Sequence, residues 1–253
     1  MNFQTTILSG DGFTLTPRKV PCAGESLILK DVNRVWDLSQ FQTIRRPVVM
    51  GRFDFLYRYP RILDLPIKML DSEYRIPEEV RGMRGFIQQA INFEHSLNPR
   101  VDSYYCYLTI DQGWVEPGQT QRRAGCHVDG FQGARINPKG MINRSYLTSN
   151  CLTSVFYPHA FQTQHLREDR DNFFLDFDRQ AREDLAWRPQ AGEIVLADAY
   201  CVHRCDVAIK KVWRTFARVS FDVREFDRLG NTHNPMFKYQ WEMVARETQK
   251  SLR

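Results

Sequence analysis

Residues 189–223 read PQAGEIVLADAYCVHRCDVAIKKVWRTFARVSFDV, and this stretch decides the fold. A proline and a glycine precede a predicted strand at Glu193–Ala197, and further strands are predicted at Tyr200–Asp206 and Trp213–Arg224. These runs are rich in β-branched and aromatic residues, which favour strands. The sequence therefore predicts a β-rich region here, with His203 on its second strand.

Working outward, the sequence predicts more strands at 101–115 and at Tyr146–Tyr157. Apolar residues recur at helical spacing between Ile76 and Leu97, which predicts a helix that packs on the outside of a sheet. The charged segment 165–188 is predicted as an insert that either covers the mouth of a site or decorates an edge. A final helix is predicted at 235–252.

The chain has 253 residues, of which 42% are hydrophobic and 26% are charged, an ordinary globular composition. Because no Gly/Ser-rich or Pro-rich linker divides it, we predict one domain over 1–253. Within it, 1–100 is a mixed, partly helical buttress and 101–224 is the β-core. The net charge of +5 comes without a long Lys/Arg run, which argues against nucleic acid as a partner.

Six scattered cysteines without a CxxC motif indicate reduced thiols. Neither a long apolar run nor a secretory signal is recognisable, so we predict no membrane association and a cytoplasmic protein. The oligomeric state is not readable from the sequence.

The second informative stretch is Cys126-His127-Val128-Asp129-Gly130. Side chains two apart on a strand point to the same side, so His127 and Asp129 can offer an imidazole and a carboxylate to one ion. His203 can supply a second imidazole. Two histidines and one carboxylate on one face leave three positions of an iron open, as an O2-activating centre needs.

Arg214 and Arg218 follow His203 on the last predicted strand, where alternation places both on one face. If His203 faces a pocket, this strand can aim both guanidinium groups into it. A planar guanidinium can hold a carboxylate with two hydrogen bonds.

The order His127-x-Asp129, distal His203 and then Arg214 resembles the Fe(II)/2-oxoglutarate-dependent oxygenases over roughly residues 101–224. That resemblance implies a mainly β, double-stranded β-helix (jelly-roll, cupin-like) core with flanking helices. It implies that His127, Asp129 and His203 bind Fe(II), and that an arginine on the late strand holds the cosubstrate 2-oxoglutarate. It further implies an O2-dependent dioxygenase that hydroxylates, desaturates or cyclises a substrate at a C–H bond.

The two late arginines are similar to those of the taurine dioxygenase branch, whereas the Asp129-to-His203 gap is closer to the phytanoyl-CoA and prolyl hydroxylase branches. We therefore prefer Arg214 for 2-oxoglutarate and Arg218 for an anionic or amino-acid-like small substrate, with the reverse assignment open. Thr153 or Ser154 can add a hydroxyl to the 2-oxoglutarate site. Gln132 can meet substrate or bond its own backbone.

Two alternatives stay open. In one, the same chemistry acts on a nucleobase or a protein side chain. In the other, the protein is a non-catalytic metal-binding β-barrel with a structural zinc site, since Cys201, His203 and Cys205 alternate along one strand and Cys126 adjoins His127.

Overall fold

The computed structural model describes residues 8–22, 24–56, 58–129, 140–167 and 171–245. Its strands are β1 (Gly12–Leu15), β2 (Val48–Arg52), β3 (Ile62–Lys68), β4 (Tyr74–Pro77), β5 (Tyr105–Val115), β6 (Arg144–Ser149), β7 (Val155–Phe156), β8 (Glu193–Asp198), β9 (His203–Arg204) and β10 (Val212–Asp222). Six of them form an antiparallel sheet in the order β2-β8-β6-β10-β5-β3. Two small sheets, β1-β4 and β7-β9, accompany it. The prediction of a mainly β protein with few helices is confirmed.

The helices are α1 (Leu27–Lys30), α2 (Arg84–Leu97) and α3 (Phe173–Gln180), with 3₁₀ turns at Leu38–Gln42, Glu78–Met83, Val101–Ser103 and Glu183–Leu185. The helix predicted from Ile76 to Leu97 is thus shorter, because β4 continues through Pro77 and a 3₁₀ turn follows. Among the described residues, no helix has the length and apolar character needed to cross a bilayer.

The two faces of the large sheet carry different kinds of side chain, as the residues of β10 show. Ala217, Val219 and Phe221 are buried in the main hydrophobic core, which also contains Ile87 and Ile91 of α2. α2 therefore packs on this face of the sheet. Since side chains alternate along a strand, Arg214, Arg218 and other residues of the same parity lie on the opposite face.

A second hydrophobic cluster lies around the small β7-β9 sheet. It joins Val155 and Tyr157 to the buried face of α3, with Phe173 and Phe177 among its members. α3 lies inside the segment predicted as an insert, so part of that segment is an ordered element that packs beside the small sheet.

Several predicted elements are wrong in extent. The strand predicted at Tyr200–Asp206 is only β9, His203–Arg204, and the strand predicted from 101 begins at Tyr105. Tyr146–Tyr157 is not one strand, because Leu152 has a left-handed backbone (φ 44°) between β6 and β7. The chain from 235 to 245 is not helical, and 246–252 lies outside the described residues. Here the Asn234 side chain fixes a turn, accepting from the Met236 amide (3.0 Å) and donating to the Pro66 carbonyl (2.7 Å).

Candidate metal centre

The site forms where two distant segments pair. The amide of His127 donates to the carbonyl of His203 (2.8 Å), and the amide of His203 donates to the carbonyl of His127 (2.9 Å). This backbone bridge sets the two imidazoles side by side, with ring centroids 4.5 Å apart. Asp129 follows two residues after His127, and one ligand atom from each of the three side chains lies within 4.8 Å of the others.

Each imidazole is oriented by a backbone carbonyl. His127 Nδ1 lies 3.0 Å from the Gly125 carbonyl and His203 Nδ1 lies 2.9 Å from the Cys201 carbonyl. Because a carbonyl oxygen only accepts, Nδ1 of each ring carries the proton and Nε2 keeps its lone pair. Metal-bound histidines usually have their second nitrogen engaged in this way. The donor set therefore fits a divalent ion that favours imidazole and carboxylate ligands.

The charges around the triad favour the protonation states that bind a metal. Burial, reinforced by the neighbouring His203, lowers the pKa of His127 to about 3, so that imidazole is neutral near pH 7. Burial alone would raise the pKa of Asp129, but the Arg218 guanidinium and both imidazoles lower it to about 2. A neutral imidazole and an ionised carboxylate are the forms that coordinate metals.

Arg218, predicted to hold substrate, is engaged by two carboxylates. Its Nη1 donates to Asp129 Oδ1 (2.7 Å) and its Nη2 donates to Asp64 Oδ1 (2.9 Å). Thr109 donates to the same Asp64 oxygen (2.8 Å). The positive charge of Arg218 is thus balanced within the protein. Its guanidinium is hydrogen-bonded to Oδ1 of Asp129, the predicted metal ligand.

Arg214 has a different environment. It is 2% exposed, and its Nε donates to the carbonyls of Leu152 (2.9 Å) and Cys151 (3.3 Å) while Nη1 donates to Gln121 Oε1. All of these acceptors are neutral, and within the described chain no carboxylate forms an ion pair with it. Burial lowers the pKa of Arg214, although nearby groups such as Cys205 oppose the shift. A buried cation without a counter-ion is unfavourable unless an anion arrives.

The remaining predicted residues are placed as follows. The Thr153 hydroxyl donates to the Pro189 carbonyl (2.9 Å), and Ser154 lies beside it in the lining of a small cavity with Phe156, whose ring centroid is 5.2 Å from that of His203. Gln132 lies outside the described residues.

The cysteines of the zinc alternative do not join the triad in the part of the chain that the structure describes. Cys201 directs its thiol toward Asp198 Oδ1 (3.4 Å) and is fully enclosed, and burial raises its pKa and that of Cys126. The geometry of the described residues therefore gives no support to a zinc site with thiolate ligands.

Two site residues were missed from the sequence, Asp64 and Gln121. Both contact an arginine from a distant part of the chain, and neither belongs to a recognisable motif. Asp64 interrupts β3 with a left-handed backbone (φ 45°), at an irregularity in its pairing with β5. Such a kink aims the carboxylate inward, but an Asp within an apolar run does not by itself predict it.

Comparison with known proteins gives no family assignment. No family model matches the chain, and no curated protein matches it. Among solved structures, the chain is similar to EvdMO1 (14% identity, TM-score 0.37, covering 73% of this chain and 49% of that one). It is also similar to EvdO2 from Micromonospora carbonacea var. aurantiaca (13%, 0.28, covering 47% and 51%). AviO1 from Streptomyces viridochromogenes Tue57 is a third (13%, 0.31, covering 66% and 75%).

The chain thus spans about half the length of the first two structures. At these identities and TM-scores, the similarity carries no conclusion about fold or activity, and the functional argument rests on the geometry of the site.

Proposed function

We propose that this protein is an Fe(II)- and 2-oxoglutarate-dependent dioxygenase that oxidises a C–H bond of a small molecule. The observation that carries the proposal is the convergence of His127, Asp129 and His203, whose ligand atoms lie within 4.8 Å of one another. When bound, Fe(II) and 2-oxoglutarate supply O2 activation, with release of succinate and CO2.

The three side chains would hold the metal on one face. The carbonyls of Gly125 and Cys201 fix the imidazoles with Nε2 available. Arg218 takes Asp129 Oδ1, which favours coordination through the other carboxylate oxygen alone. With one oxygen from Asp129 and one nitrogen from each histidine, the protein would leave the rest of the metal's coordination sphere to a chelating cosubstrate and O2. Because Asp129 provides this carboxylate, no ligand position is left for a halide, and hydroxylation or a related oxidation is favoured over halogenation.

Arg214 is our candidate for the cosubstrate arginine. It is a buried cation surrounded by neutral acceptors, whereas Arg218 is already paired with two carboxylates. The free carboxylate of 2-oxoglutarate would supply the missing negative charge through a charge-assisted hydrogen bond. Gln121 and the Leu152 carbonyl would keep the guanidinium oriented before the cosubstrate binds. This favours the first of the two assignments that the sequence left open.

The fold proposed for this function is a double-stranded β-helix. In this interpretation, the six-stranded sheet is one wall, and the β7-β9 sheet, extended by the His127–His203 bridge, belongs to the facing wall. The inward face of β10 and the two histidines then line the interior, where a reactive oxidant is shielded from water.

The test is an anaerobic titration of the purified protein with Fe(II) and then 2-oxoglutarate, following the weak visible absorption band that a chelated 2-oxo acid produces. We expect a band that saturates at one equivalent of Fe(II), is absent in His127→Ala and requires more 2-oxoglutarate in Arg214→Ala. Tightly bound zinc that is insensitive to 2-oxoglutarate would instead support a non-catalytic metal site.

A further inference from the structure

A second cavity, of about 230 Å³, lies between Asp64 on β3 and the segment 226–243. We propose that this cavity binds an uncharged, ring-bearing part of the substrate. The inference rests on the proposed function only in identifying the bound molecule as substrate. That the cavity accepts rings follows from its own walls.

Four of the eleven lining residues are aromatic, namely Phe226, His233, Tyr239 and Trp241, and their rings pack on one another or on a neighbouring ring. Phe226 stacks on Tyr107 with ring centroids 3.9 Å apart and planes within 3°. Tyr239 packs against both Trp241 (4.5 Å) and His233 (4.7 Å). Aromatic faces offer flat, apolar area at low conformational cost, and they complement the face of another ring.

The size of the cavity and the charge of its lining residues limit which ligands can bind there. An apolar cavity of about 150 Å³ holds a benzene molecule, so about 230 Å³ accommodates one six-membered ring with substituents. Its lining contains no Lys or Arg but includes the Asp64 carboxylate, Asn231 and Thr232. Asn231 and Thr232 carry groups that can hydrogen-bond to substituents on a ring, and an anionic ring would find no cation among the lining residues.

Asp64 connects the cavity to the metal centre. Its Oδ1 accepts from Arg218 Nη2, and Arg218 Nη1 donates to Asp129 Oδ1. A single guanidinium therefore separates the cavity wall from a predicted metal ligand. A ring seated in the cavity would therefore contact the Asp64 end of this chain rather than the proposed metal ligands, none of which lines the cavity. This differs from the anionic substrate expected from the sequence, for which Arg218 was the recognition residue.

The test uses the full-length protein and saturation-transfer NMR with three probes: phenol, cyclohexane-1,2-diol and benzoate. We expect at least one uncharged ring to bind, and benzoate to bind at least about tenfold more weakly because the lining has no Lys or Arg to pair with its carboxylate. Phenol and the diol distinguish an aromatic from a saturated ring. Fe(II) affinity is measured separately for each protein.

Two variants test whether the ring binds in this cavity, one by filling the cavity and the other by removing part of its wall. Leu229→Trp fills the cavity and Trp241→Ala removes a wall, and each should weaken ring binding about tenfold or more while Fe(II) affinity is unchanged. Ile209→Trp adds the same side chain at a position that is 92% exposed and away from the cavity lining, and it should bind like the unmodified protein.

The inference is overturned if neither uncharged ring binds, if benzoate binds as tightly as phenol, or if binding survives both cavity variants. Failure of Fe(II) and 2-oxoglutarate binding with intact ring binding would overturn the proposed function and leave the ring site standing. The reverse outcome would overturn only the ring site.

Discussion

The two faces of the large sheet each carry a buried ionic network, and the networks are built differently. We call the face with Val219 and Phe221 the outer face and the face with Arg214 and Arg218 the inner face. On the outer face, Glu94 of α2 is fully enclosed and accepts from Arg144 (3.0 Å), Tyr146 (2.9 Å) and Asn98 (3.0 Å). Both Glu94 oxygens accept hydrogen bonds, and all three donors are side chains of the protein. On the inner face, Asp129 offers Oδ1 to Arg218, and the described contacts leave its second oxygen to the metal centre.

The difference distinguishes a structural network from one that serves a site. The outer network satisfies both Glu94 oxygens with donors from the protein and ties α2 to β6, so its removal should affect folding alone. In the proposed function, the inner network is completed by a divalent ion beside Asp129 and an anion beside Arg214. We therefore expect outer-face substitutions to change stability and inner-face substitutions to change ligand affinity.

The largest expected effect is at Glu94. Glu94→Gln leaves Arg144 buried without its counter-ion, and loss of one partner of a buried pair costs about 3–5 kcal/mol. Urea unfolding should show this loss, while Fe(II) affinity of the folded variant stays unchanged. A stability change below about 1 kcal/mol, the scale of an exposed ion pair, would show that the outer network is not structural.

Arg218→Met should weaken Fe(II) binding by about 10–100-fold, as is typical when the partner that orients a ligand is removed. Isothermal titration calorimetry measures the affinity. Asp64→Asn is the matched control, because it keeps the Arg218–Asp129 contact, and a smaller loss is expected. Tighter metal binding in Arg218→Met would mean that Arg218 acts mainly as an opposing charge rather than as an orienting group.

Arg214→Met should weaken 2-oxoglutarate binding to the Fe(II) protein by about tenfold or more, which corresponds to one charge-assisted hydrogen bond. Its stability should change by less than that of Glu94→Gln, because the variant also relieves the burial of an unpaired cation. Arg58→Met removes an exposed guanidinium that packs over Trp213 and serves as the charge control. Equal affinities in both variants would argue against Arg214 as the cosubstrate arginine.

Thr153→Val should have the smallest effect. The variant loses the hydrogen bond to the Pro189 carbonyl, which is worth about 0.5–1.5 kcal/mol in stability. Because that hydroxyl already donates to Pro189, we expect unchanged 2-oxoglutarate affinity in the visible-band titration. A clear loss of affinity would restore the sequence-based prediction that Thr153 contacts the cosubstrate.

The sequence predicted what local patterns encode. β8 and β10 match the predicted strands at Glu193–Ala197 and Trp213–Arg224 to within about two residues. β8 contains a short apolar run, and β10 is rich in β-branched and aromatic residues. The HxD spacing and the distal His203 were sufficient to nominate three side chains that the structure brings together. Iron and 2-oxoglutarate themselves stay predictions.

What the sequence could not predict depends on tertiary contacts. The pairing of Arg218 with Asp64 joins residues 154 positions apart, and nothing local signals it. The C-terminal segment has helical periodicity, yet Tyr239 and Trp241 pack on one another, and Trp241 also packs on Tyr105 and Tyr107 of β5. Burial of those rings against the sheet overrides a weak helical preference.

The mutual backbone hydrogen bonds of His127 and His203 have a consequence for assembly. His127 and His203 already hold their two segments together through backbone hydrogen bonds. An ion bound by both imidazoles would add a second link between the same two segments, through the side chains. This link closes the loop of chain between His127 and His203, so it stabilises the folded state as a crosslink does. Deuterium uptake at these two amides would then slow on metal loading, making them reporters of occupancy that require neither substrate nor oxygen.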